Sequence, residues 1–313
     1  HEDYASPYMK GDIQAAWPLH STADVSKSGH TLTNNNTTTF VSGGPAGSYA
    51  NFVAASSQSL TLADHADFGS MSELTVACWI YRDIDSGSYE GLVGKYDTGT
   101  AGDQSFLLWI HNTSDVIIFS MDTSVGDNTV TSSAAIGLAT WYYVVGTYDG
   151  ATMKVWTNGE LTGSTAHTGT IDDSAEKFII GAWTSGDTPE YFFDGRIGGV
   201  SVSATAMTER EIKAEYQRGI RRLGSAIDTN DTISDNTVVS IASDPNGKYV
   251  AVMGADKKVY TFDEFAVPVA TDDYPGTTAR DVAIKSMPGG ADPHLIMAGS
   301  DQIEIVQPDP RAF

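Results

Sequence analysis

The segment GAWTSGDTPEYFF, residues 181–193, combines aromatic and acidic side chains in a stretch rich in Gly, Ser and Thr, a composition that predicts a loop exposed on the surface. Trp183 and Tyr191 supply flat rings, and Asp187 and Glu190 supply carboxylates that accept hydrogen bonds. A sugar stacks the apolar face of its ring on an aromatic side chain and is oriented by a few polar groups. These four residues are therefore the candidate ligand-binding site, and the ligand class that they indicate is carbohydrate.

No motif typical of an enzyme accompanies this segment. The pairs Asp172-Asp173 and Asp272-Asp273 are adjacent in sequence, so on a strand they would face opposite ways, whereas glycoside hydrolysis needs two carboxyl groups about 5 to 10 Å apart. The seven histidines include no HExxH motif and no close pair, and no G-x-S-x-G motif occurs. We therefore predict a protein that is not an enzyme and has no catalytic cofactor.

Charge and composition narrow the class of partner. The formal net charge of −22 disfavours nucleic acid and anionic membranes, because like charges repel. No apolar run is long enough to cross a bilayer, so we expect a soluble chain without membrane insertion. The single cysteine, Cys78, excludes an internal disulfide, and its place in LTVACWIY predicts a small buried side chain beside Leu74, Val76 and Ile80.

The elements that must position the candidate site are short strands. Between residue 12 and about residue 205, period-two patterning predicts strands of about 5 to 8 residues. Two dipeptides, Asp149-Gly150 and Asn158-Gly159, supply the positive-φ residues of tight hairpins. Many antiparallel strands without a helical period between them predict an all-β sandwich, with Trp109 and Trp156 in its core. The clearest strand segments are ELTVACWIYR, QSFLLWIHN, DVIIFSMDT, WYYVVGTYDG, ATMKVWTNGEL and KFIIGAW.

One helix follows the last of these strands. Thr208 and Glu211 form a capping box, which satisfies the first free N–H groups of a helix. Ile212 and Tyr216 are four residues apart and would pack on one face of it. Arg218 and Gly219 are typical of a last turn and its stop. We predict a short helix that ends near residue 219.

The order of these segments resembles a known family, the laminin-G-like, concanavalin A-like jelly roll. The resemblance covers residues 12–218 and implies an antiparallel jelly-roll sandwich closed by a short helix, which we bound at residues 12–220. It implies little about activity, since the fold serves lectins, adhesins and glycosidases alike. The five segments that carry it are AAWPLHSTADVSKSGHTLTNNN, SSQSLTLADHADFGSMSELTVACWIYR, WYYVVGTYDGATMKVWTNGEL, FIIGAW and YFFDGRIGGVSVSATAMTEREI.

The resemblance also implies a candidate structural calcium site. Laminin-G-like sandwiches often bind one ion through carboxylates and backbone carbonyls, and Asp24 occupies the early loop where relatives coordinate metal. Many relatives carry an acidic pair after GRI, where this chain has Gly198-Gly199. This departure weakens the expectation of an inherited ion.

The last third of the chain has a different pattern of predicted strands, in which two segments repeat the same plan. We expect a tail or stub at residues 1–11, a polar linker at residues 221–236, and two blade-like β repeats at residues 237–313. Aligning MGADKKVYTF with AGSDQIEIV pairs Gly254 with Gly299 and Asp256 with Asp301, a period of 45 residues that is typical of a propeller blade. Two blades cannot close a ring, so three chains with two blades each would make a trimer. The alternatives are an open two-sheet stack on the sandwich and packing against another protein.

Three features together resemble virion appendage proteins of bacteriophages, such as tail fibres. These features are the sandwich, the acidic Thr-rich surface and the blade-like repeats at residues 237–313. That resemblance implies a receptor-binding protein on the virion surface, whose partners are a host-surface glycan and further copies of the chain or other virion proteins. Two alternatives stay open: a bacterial surface or secreted adhesin, and a structural virion component that binds no glycan.

Overall fold

The computed structural model describes residues 12–99, 104–185 and 188–224, together with the backbone of seven strands between residues 238 and 306. Contacts between Cα atoms divide the chain into two units, residues 1–220 and 221–313. Within the described residues, no helix is both long and apolar enough to span a membrane. Most of the first unit is β-structure, and the candidate site lies within it.

The first unit is built from seventeen described strands. Two 3-10 helices, Ala54–Ser56 and Ala66–Phe68, lie between the early strands, and helix α1, Glu209–Gly224, follows the last. The strands are β1 Ile13–Trp17, β2 Thr33–Asn35, β3 Thr39–Ser42, β4 Ser48–Phe52, β5 Ser59–Leu62, β6 Leu74–Arg82, β7 Glu90–Tyr96, β8 Gln104–Ile110, β9 Val116–Thr123, β10 Gly126–Ala135, β11 Trp141–Tyr148, β12 Thr152–Thr157, β13 Glu160–Ala166, β14 Phe178–Ile180, β15 Trp183–Ser185, β16 Thr188–Glu190 and β17 Gly195–Ser203.

These strands form two large antiparallel sheets that face each other. The eight-stranded sheet has the order β13-β12-β11-β6-β17-β4-β3, and β1 also pairs with β17. The seven-stranded sheet has the order β10-β9-β8-β7-β14-β5-β2. A separate two-stranded hairpin is made by β15 and β16. The predicted all-β antiparallel sandwich, consistent with a jelly roll, is confirmed.

The core lies between the two sheets, and β6 shows how the sequence divides between its faces. Leu74, Val76, Cys78 and Ile80 all face the core and are fully buried, as the alternation predicted. Trp17 joins them, with its ring centroid 5.2 Å from that of Phe178. The burial of apolar surface, which contributes a free energy of about 25 cal/mol for each Å², is the main force that holds the sheets together.

Both predicted hairpin turns are confirmed. Asp149 accepts hydrogen bonds from the N–H groups of Ala151 and Thr152 between β11 and β12. Asn158 and Gly159 have φ of +54° and +82° between β12 and β13, the left-handed values that this dipeptide adopts readily.

Helix α1 begins as predicted but ends later. The N–H of Thr208 donates to Glu211 Oε2 at 2.8 Å, and the N–H of Glu211 donates to Thr208 Oγ1 at 3.4 Å, which completes the capping box. The predicted stop at Gly219 is wrong, because α1 continues to Gly224 and thus into the segment expected to be a linker. Gly219 is buried and lies against the indole of Trp79, so the glycine permits close packing there and does not end the helix.

The helix covers the outer face of the eight-stranded sheet. A second apolar cluster lies under it, separate from the main core and built around the large rings of the sheet. Ring centroids of Trp79 and Tyr216 are 5.7 Å apart. The buried members of this cluster are Ala77, Trp79, Tyr143, Val145, Trp156, Met207 and Ile212. The prediction that Trp156 is buried is therefore confirmed, although it lies in this outer cluster.

The second unit contains two sheets along the backbone that is described. Strands β18 Val238–Ser243, β19 Tyr249–Gly254, β20 Lys258–Asp263 and β21 Pro268–Asp273 form one, and β22 Ala279–Lys285, β23 His294–Gly299 and β24 Ile303–Val306 form the other. Gly254 and Gly299 end the corresponding strands β19 and β23, and each pairs with the first residue of the preceding strand beside a register shift. Asp256 and Asp301 lie outside the described residues. The identification of these sheets as propeller blades stays a prediction.

Candidate functional site

A groove of about 560 Å³ lies on the outer face of the seven-stranded sheet, near the edge formed by β5 and β2. Leu60 of β5 faces the core, so its neighbours Ser59 and Thr61 point to the opposite side of the sheet. Asn35 of β2 is the direct partner of Ser59, which places its side chain on that same outer face. The residues that line the groove are Asn34, Asn35, Asn36, Ser57, Ser59, Thr61, Lys177, Pro189 and Phe192.

Hydrogen bonds hold the polar floor of this groove in place. Asn35 Nδ2 donates to Thr61 Oγ1 at 2.9 Å and to Ser59 Oγ at 3.4 Å. No described residue donates a hydrogen bond to Asn35 Oδ1. The floor therefore presents an amide acceptor and the hydroxyl group of half-buried Thr61 at fixed positions, with the buried Ser59 beneath them, and such polar groups orient a polyhydroxylated ligand.

The rim beside the floor is built from two residues in the left-handed region. Asn36 and Ser57 have φ of +57° and +51°, and Asn36 Nδ2 donates to the carbonyl of Ser57 at 2.8 Å. Gln58 Nε2 donates to the carbonyl of Asn36 at 3.0 Å. These bonds join the turn after β2 to the 3-10 helix before β5, so the rim is fixed at both ends.

The β15–β16 hairpin supplies the opposite wall, through Pro189 and Phe192. Thr184 Oγ1 donates to the carbonyl of Tyr96 at 2.8 Å, and the N–H of Gly91 donates to the carbonyl of Tyr191 at 2.8 Å. A Cβ atom at Gly91 would lie 2.3 Å from the carbonyl carbon of Ala182, so only glycine lets the hairpin backbone approach β7 this closely.

The aromatic residues predicted for the site are brought together, but not as an exposed platform. Trp183 is 3% exposed, because β15 lies against β7 at Gly91 and the indole is covered. Its ring centroid lies 4.4 Å from that of Tyr191 and 5.3 Å from that of Trp109. The expectation of a solvent-exposed Trp183 is therefore wrong, and Trp109 is half-buried on the outer face of the sheet and not in the core.

The remaining predicted residues have different environments. Glu190 is exposed at the end of β16, and Asp187 lies outside the described residues. Tyr191 is half-buried and has φ of +51°, a conformation that is uncommon for a bulky side chain and is found mostly at constrained or functional positions. Trp183 Nε1 is buried without a hydrogen-bond partner among the described residues.

Asp24, the predicted calcium ligand, is engaged by hydrogen-bond donors of the chain. Its Oδ1 accepts from the N–H of Ala16 at 2.9 Å and of Ser26 at 2.7 Å. Its Oδ2 accepts from Ser26 Oγ at 2.7 Å and from the N–H of His30 at 2.9 Å. A cation would have to displace these donors, so the carboxylate fits a role in fixing the loop and does not fit a calcium ligand.

The fold brings together two histidines that are distant in the sequence. The sequence offered no close pair, yet the rings of His30 and His65 meet with centroids 4.4 Å apart. The polar groove was also missed, although the run of asparagines at residues 34–36 lies in it. A run of asparagines is typical of a turn, so the sequence did not indicate that two of them belong to a strand, β2, which pairs with β5.

Three solved structures place the fold among known proteins. Domain 4 of AbnA, a GH43 extracellular arabinanase from Geobacillus stearothermophilus solved in complex with arabinotriose, is 17% identical with a TM-score of 0.51, over 66% of this chain and 98% of that chain. The binding domain of Paraclostridial Mosquitocidal Protein 1 is 11% identical with a TM-score of 0.52, over 93% and 76%. The botulinum neurotoxin serotype C1 binding domain is 9% identical with a TM-score of 0.52, over 94% and 73%.

At these identities the likeness shows the fold alone. No curated protein matches the chain. Residues 54–213, just over half of the 313 residues, match the family model described as the concanavalin A-like lectin/glucanases superfamily. That match covers the strands from β5 to β17 and the first turn of α1. The chain therefore belongs to the concanavalin A-like lectin/glucanases superfamily, in its laminin-G-like branch.

Proposed function

We propose that this chain is a non-enzymatic carbohydrate-binding protein and that the groove bounded by β2, β5 and the β15–β16 hairpin is its ligand site. The observation that carries the proposal is the chemistry of the groove. Three asparagines, two serines, a threonine and a phenylalanine are among the residues that line a space of about 560 Å³, and the side chain of Asn35 lies on its floor. Sites for small ligands occupy about 300–1,000 Å³, so the groove has room for a short oligosaccharide.

Each part of the groove has a matching part on a sugar. Hydroxyl groups of a sugar donate and accept, as do Ser57, Thr61 and the amide of Asn35. The apolar C–H face of a sugar ring packs against an aromatic side chain, which Phe192 supplies on the hairpin wall. Water competes for the polar contacts, so we expect a weak single site that gains from multivalent display.

The relatives support the same class of function. The AbnA domain was solved with a bound arabinotriose, and the other two similar structures are described as binding domains. None of these descriptions assigns catalysis to the domain that resembles this chain. Under this proposal the protein recognises a glycan without cleaving it.

A glycan array tests the proposal, with the whole chain as the probe. We expect binding that is lost or weakened at least about tenfold in Asn35→Ala and Phe192→Ala, equivalent to about 1.4 kcal/mol. Asn128→Ala is the matched control, because Asn128 lies on β10 at the other edge of the same sheet. Release of reducing sugar by the wild type would contradict a non-enzymatic role.

Tyr191 and Glu190, which the sequence predicted for the site, lie beside Trp183 and define an alternative to the groove. If Tyr191→Ala or Glu190→Ala abolishes binding while Asn35→Ala retains it, the ligand binds at the aromatic cluster around Trp183 and not in the groove. If none of the variants changes binding, the groove proposal fails. Binding by no glycan at all favours the structural alternative.

We propose for the wider context a bacteriophage virion appendage, such as a tail fibre, that displays the sandwich on the virion surface as a trimer. The support is the combined resemblance of the sandwich, the acidic Thr-rich surface and the blade-like repeats to such proteins. Three linked sites would raise the apparent affinity of weak glycan binding by about 10² to 10⁴. A bacterial surface or secreted adhesin stays the alternative, since it needs the same binding site in an extracellular location.

Light scattering after size exclusion tests the assembly. A whole-chain mass three times that of one chain supports the trimer. A monomeric mass at micromolar concentration contradicts it and leaves the two alternatives for the repeats, an open two-sheet stack on the sandwich and packing against another protein. Binding of the intact protein to bacterial cells, abolished by Asn35→Ala, would link the assembly to its glycan site.

A further inference from the structure

Three metal-ligating side chains from two separate segments meet at one end of the sandwich. His30 precedes β2, whereas His65 and Asp67 belong to the 3-10 helix before β6 and its N-cap. His30 Nε2 lies 2.9 Å from Asp67 Oδ2, and His65 Nδ1 lies 3.5 Å from the same oxygen. The three ligand atoms all lie within 4.8 Å of one another. Among the described residues this is the one group of three or more such side chains at that spacing.

We propose that His30, His65 and Asp67 bind a divalent transition-metal ion of the zinc class. Zinc binds histidine nitrogen and carboxylate oxygen at about 2.0–2.2 Å in a tetrahedron, in which neighbouring ligand atoms are about 3.3–3.5 Å apart. Of the two distances to Asp67 Oδ2, 2.9 Å is shorter than that separation and 3.5 Å matches it. Small movements of flexible side chains therefore bring all three atoms to bonding distance.

The ligand types select the class of ion. Two imidazoles and one carboxylate suit zinc, cobalt, nickel or copper, whereas calcium and magnesium prefer a shell made of oxygen atoms. The neighbouring Asp64 carboxylate is held by Lys95 Nζ at 2.7 Å, so it does not supply a further oxygen without losing an ion pair. The site is thus distinct in chemistry and in residues from the calcium site expected at Asp24.

The cluster is open to solvent on the side of His65 and Asp67. The side chain of His30 is 7% exposed, while those of His65 and Asp67 are 47% and 33% exposed. An ion can therefore enter from solvent, and water can occupy the fourth position. The charge is also suitable, because the carboxylate offsets part of the ion's positive charge in a protein of net charge −22.

The backbone of His30 is held at both of its polar groups. Its N–H donates to Asp24 Oδ2 at 2.9 Å, and its carbonyl accepts from Trp17 Nε1 at 2.8 Å. The His30 ring also lies against Phe68, with centroids 5.2 Å apart. Because the most buried ligand is fixed before the ion arrives, binding requires little ordering of it.

The ion replaces contacts that now exist. His30 Nε2 and Asp67 Oδ2 share a hydrogen bond, so an ion bound at Nε2 takes the place of the proton between them, and the neutral imidazole then carries its proton on Nδ1. His65 Nδ1 accepts from the N–H of Asp67 at 3.2 Å, and this weak cap bond is lost when the same nitrogen binds the ion. In return the ion links residue 30 to residue 65 and stabilises the folded state through its binding free energy.

Calorimetric titration of the chelator-treated whole chain with zinc chloride, without a histidine tag, tests the proposal. We expect one site per chain and a rise in the melting temperature when zinc is added. His65→Ala and Asp67→Asn should weaken zinc binding by more than about 100-fold, since even changes outside the ligand shell cost about 10- to 100-fold. His20→Ala is the matched control and should bind zinc as the wild type does.

His65→Ala is the informative variant, because the side chain is half exposed and its loss leaves the core intact. Far-UV circular dichroism of the metal-free variant checks that it folds. Equal zinc affinity and an equal melting shift in His65→Ala and the wild type would overturn the proposal. So would the absence of stoichiometric zinc binding by the wild type, in which case the cluster is a hydrogen-bonded helix cap only.

Discussion

Gly219 of α1 lies directly against the indole ring of Trp79: a Cβ atom at residue 219 would come within 2.1 Å of Trp79 Cζ2. Trp79 is itself 4% exposed and packs on Tyr143 and Tyr216 under the helix. The ring cannot move aside without disturbing the cluster. This contact explains why a helix interior carries a residue that disfavours helix formation.

Gly219→Ala is therefore expected to destabilise the sandwich although alanine favours helices. Overpacking a buried site costs about 1–3 kcal/mol, and the short contact places this one near the upper end. The gain in helix propensity is only about 1 kcal/mol. Urea unfolding followed by tryptophan fluorescence measures the difference. Gln217→Ala, at an exposed position of the same helix, is the control. A variant as stable as the wild type would show that the helix can shift away from Trp79.

The buried ion pair of Arg82 and Glu90 leads to a second prediction. Arg82 Nε donates to Glu90 Oε2 at 2.9 Å, and the two side chains are 1% and 0% exposed. Burial by itself lowers the pKa of Arg82, but the hydrogen bonds to Glu90 and Asp115 outweigh it and raise the pKa above the usual value. Removal of one member of a buried ion pair leaves the charge of the other uncompensated, which lowers the free energy of unfolding by about 3–5 kcal/mol.

Glu90→Gln should lower the free energy of unfolding by about 3 kcal/mol, the lower end of that range, because Asp115 and Asp85 still contact the guanidinium. Asp85→Asn removes a partner of the same guanidinium that is 46% exposed, so a loss below about 1 kcal/mol is expected. Chemical denaturation of both variants compares them directly. Similar losses in the two variants would contradict the importance of burial in this pair.

Cys78 provides a third prediction. It is fully buried in the core, and burial raises the pKa of its thiol far above the usual value. The thiolate is the reactive form, so the native protein should react with a disulfide reagent at pH 8 at least about 10³-fold more slowly than the unfolded chain, given an opening free energy of about 5 kcal/mol or more. Absorbance of the released thiolate, with and without denaturant, measures both rates. A fast reaction of the native chain would mean that β6 opens easily.

Local sequence signals determined most of the elements of the sandwich. Alternation along β6 placed Leu74 and Cys78 in the core, and the Asn158-Gly159 dipeptide specified a hairpin, because each depends only on residues a few positions apart. The capping box of Thr208 and Glu211 is equally local. Order and spacing of these signals were sufficient to predict the antiparallel sandwich, and the resemblance of five segments to a known family indicated the superfamily.

The sites depended on contacts that no local signal contains. The groove joins Asn35, Thr61 and Phe192, and the proposed metal site joins His30 to His65; these residues meet only because β2 pairs with β5 and the β15–β16 hairpin lies against β7. For the same reason the sequence alone overstated the exposure of Trp183. Gly91 of β7 and Trp109 of β8, which lie beside Trp183, are far from it in the sequence. The sequence therefore determined which side chains are available for a site. The pairing of strands that are distant in sequence decided which of these side chains are buried and which lie next to each other.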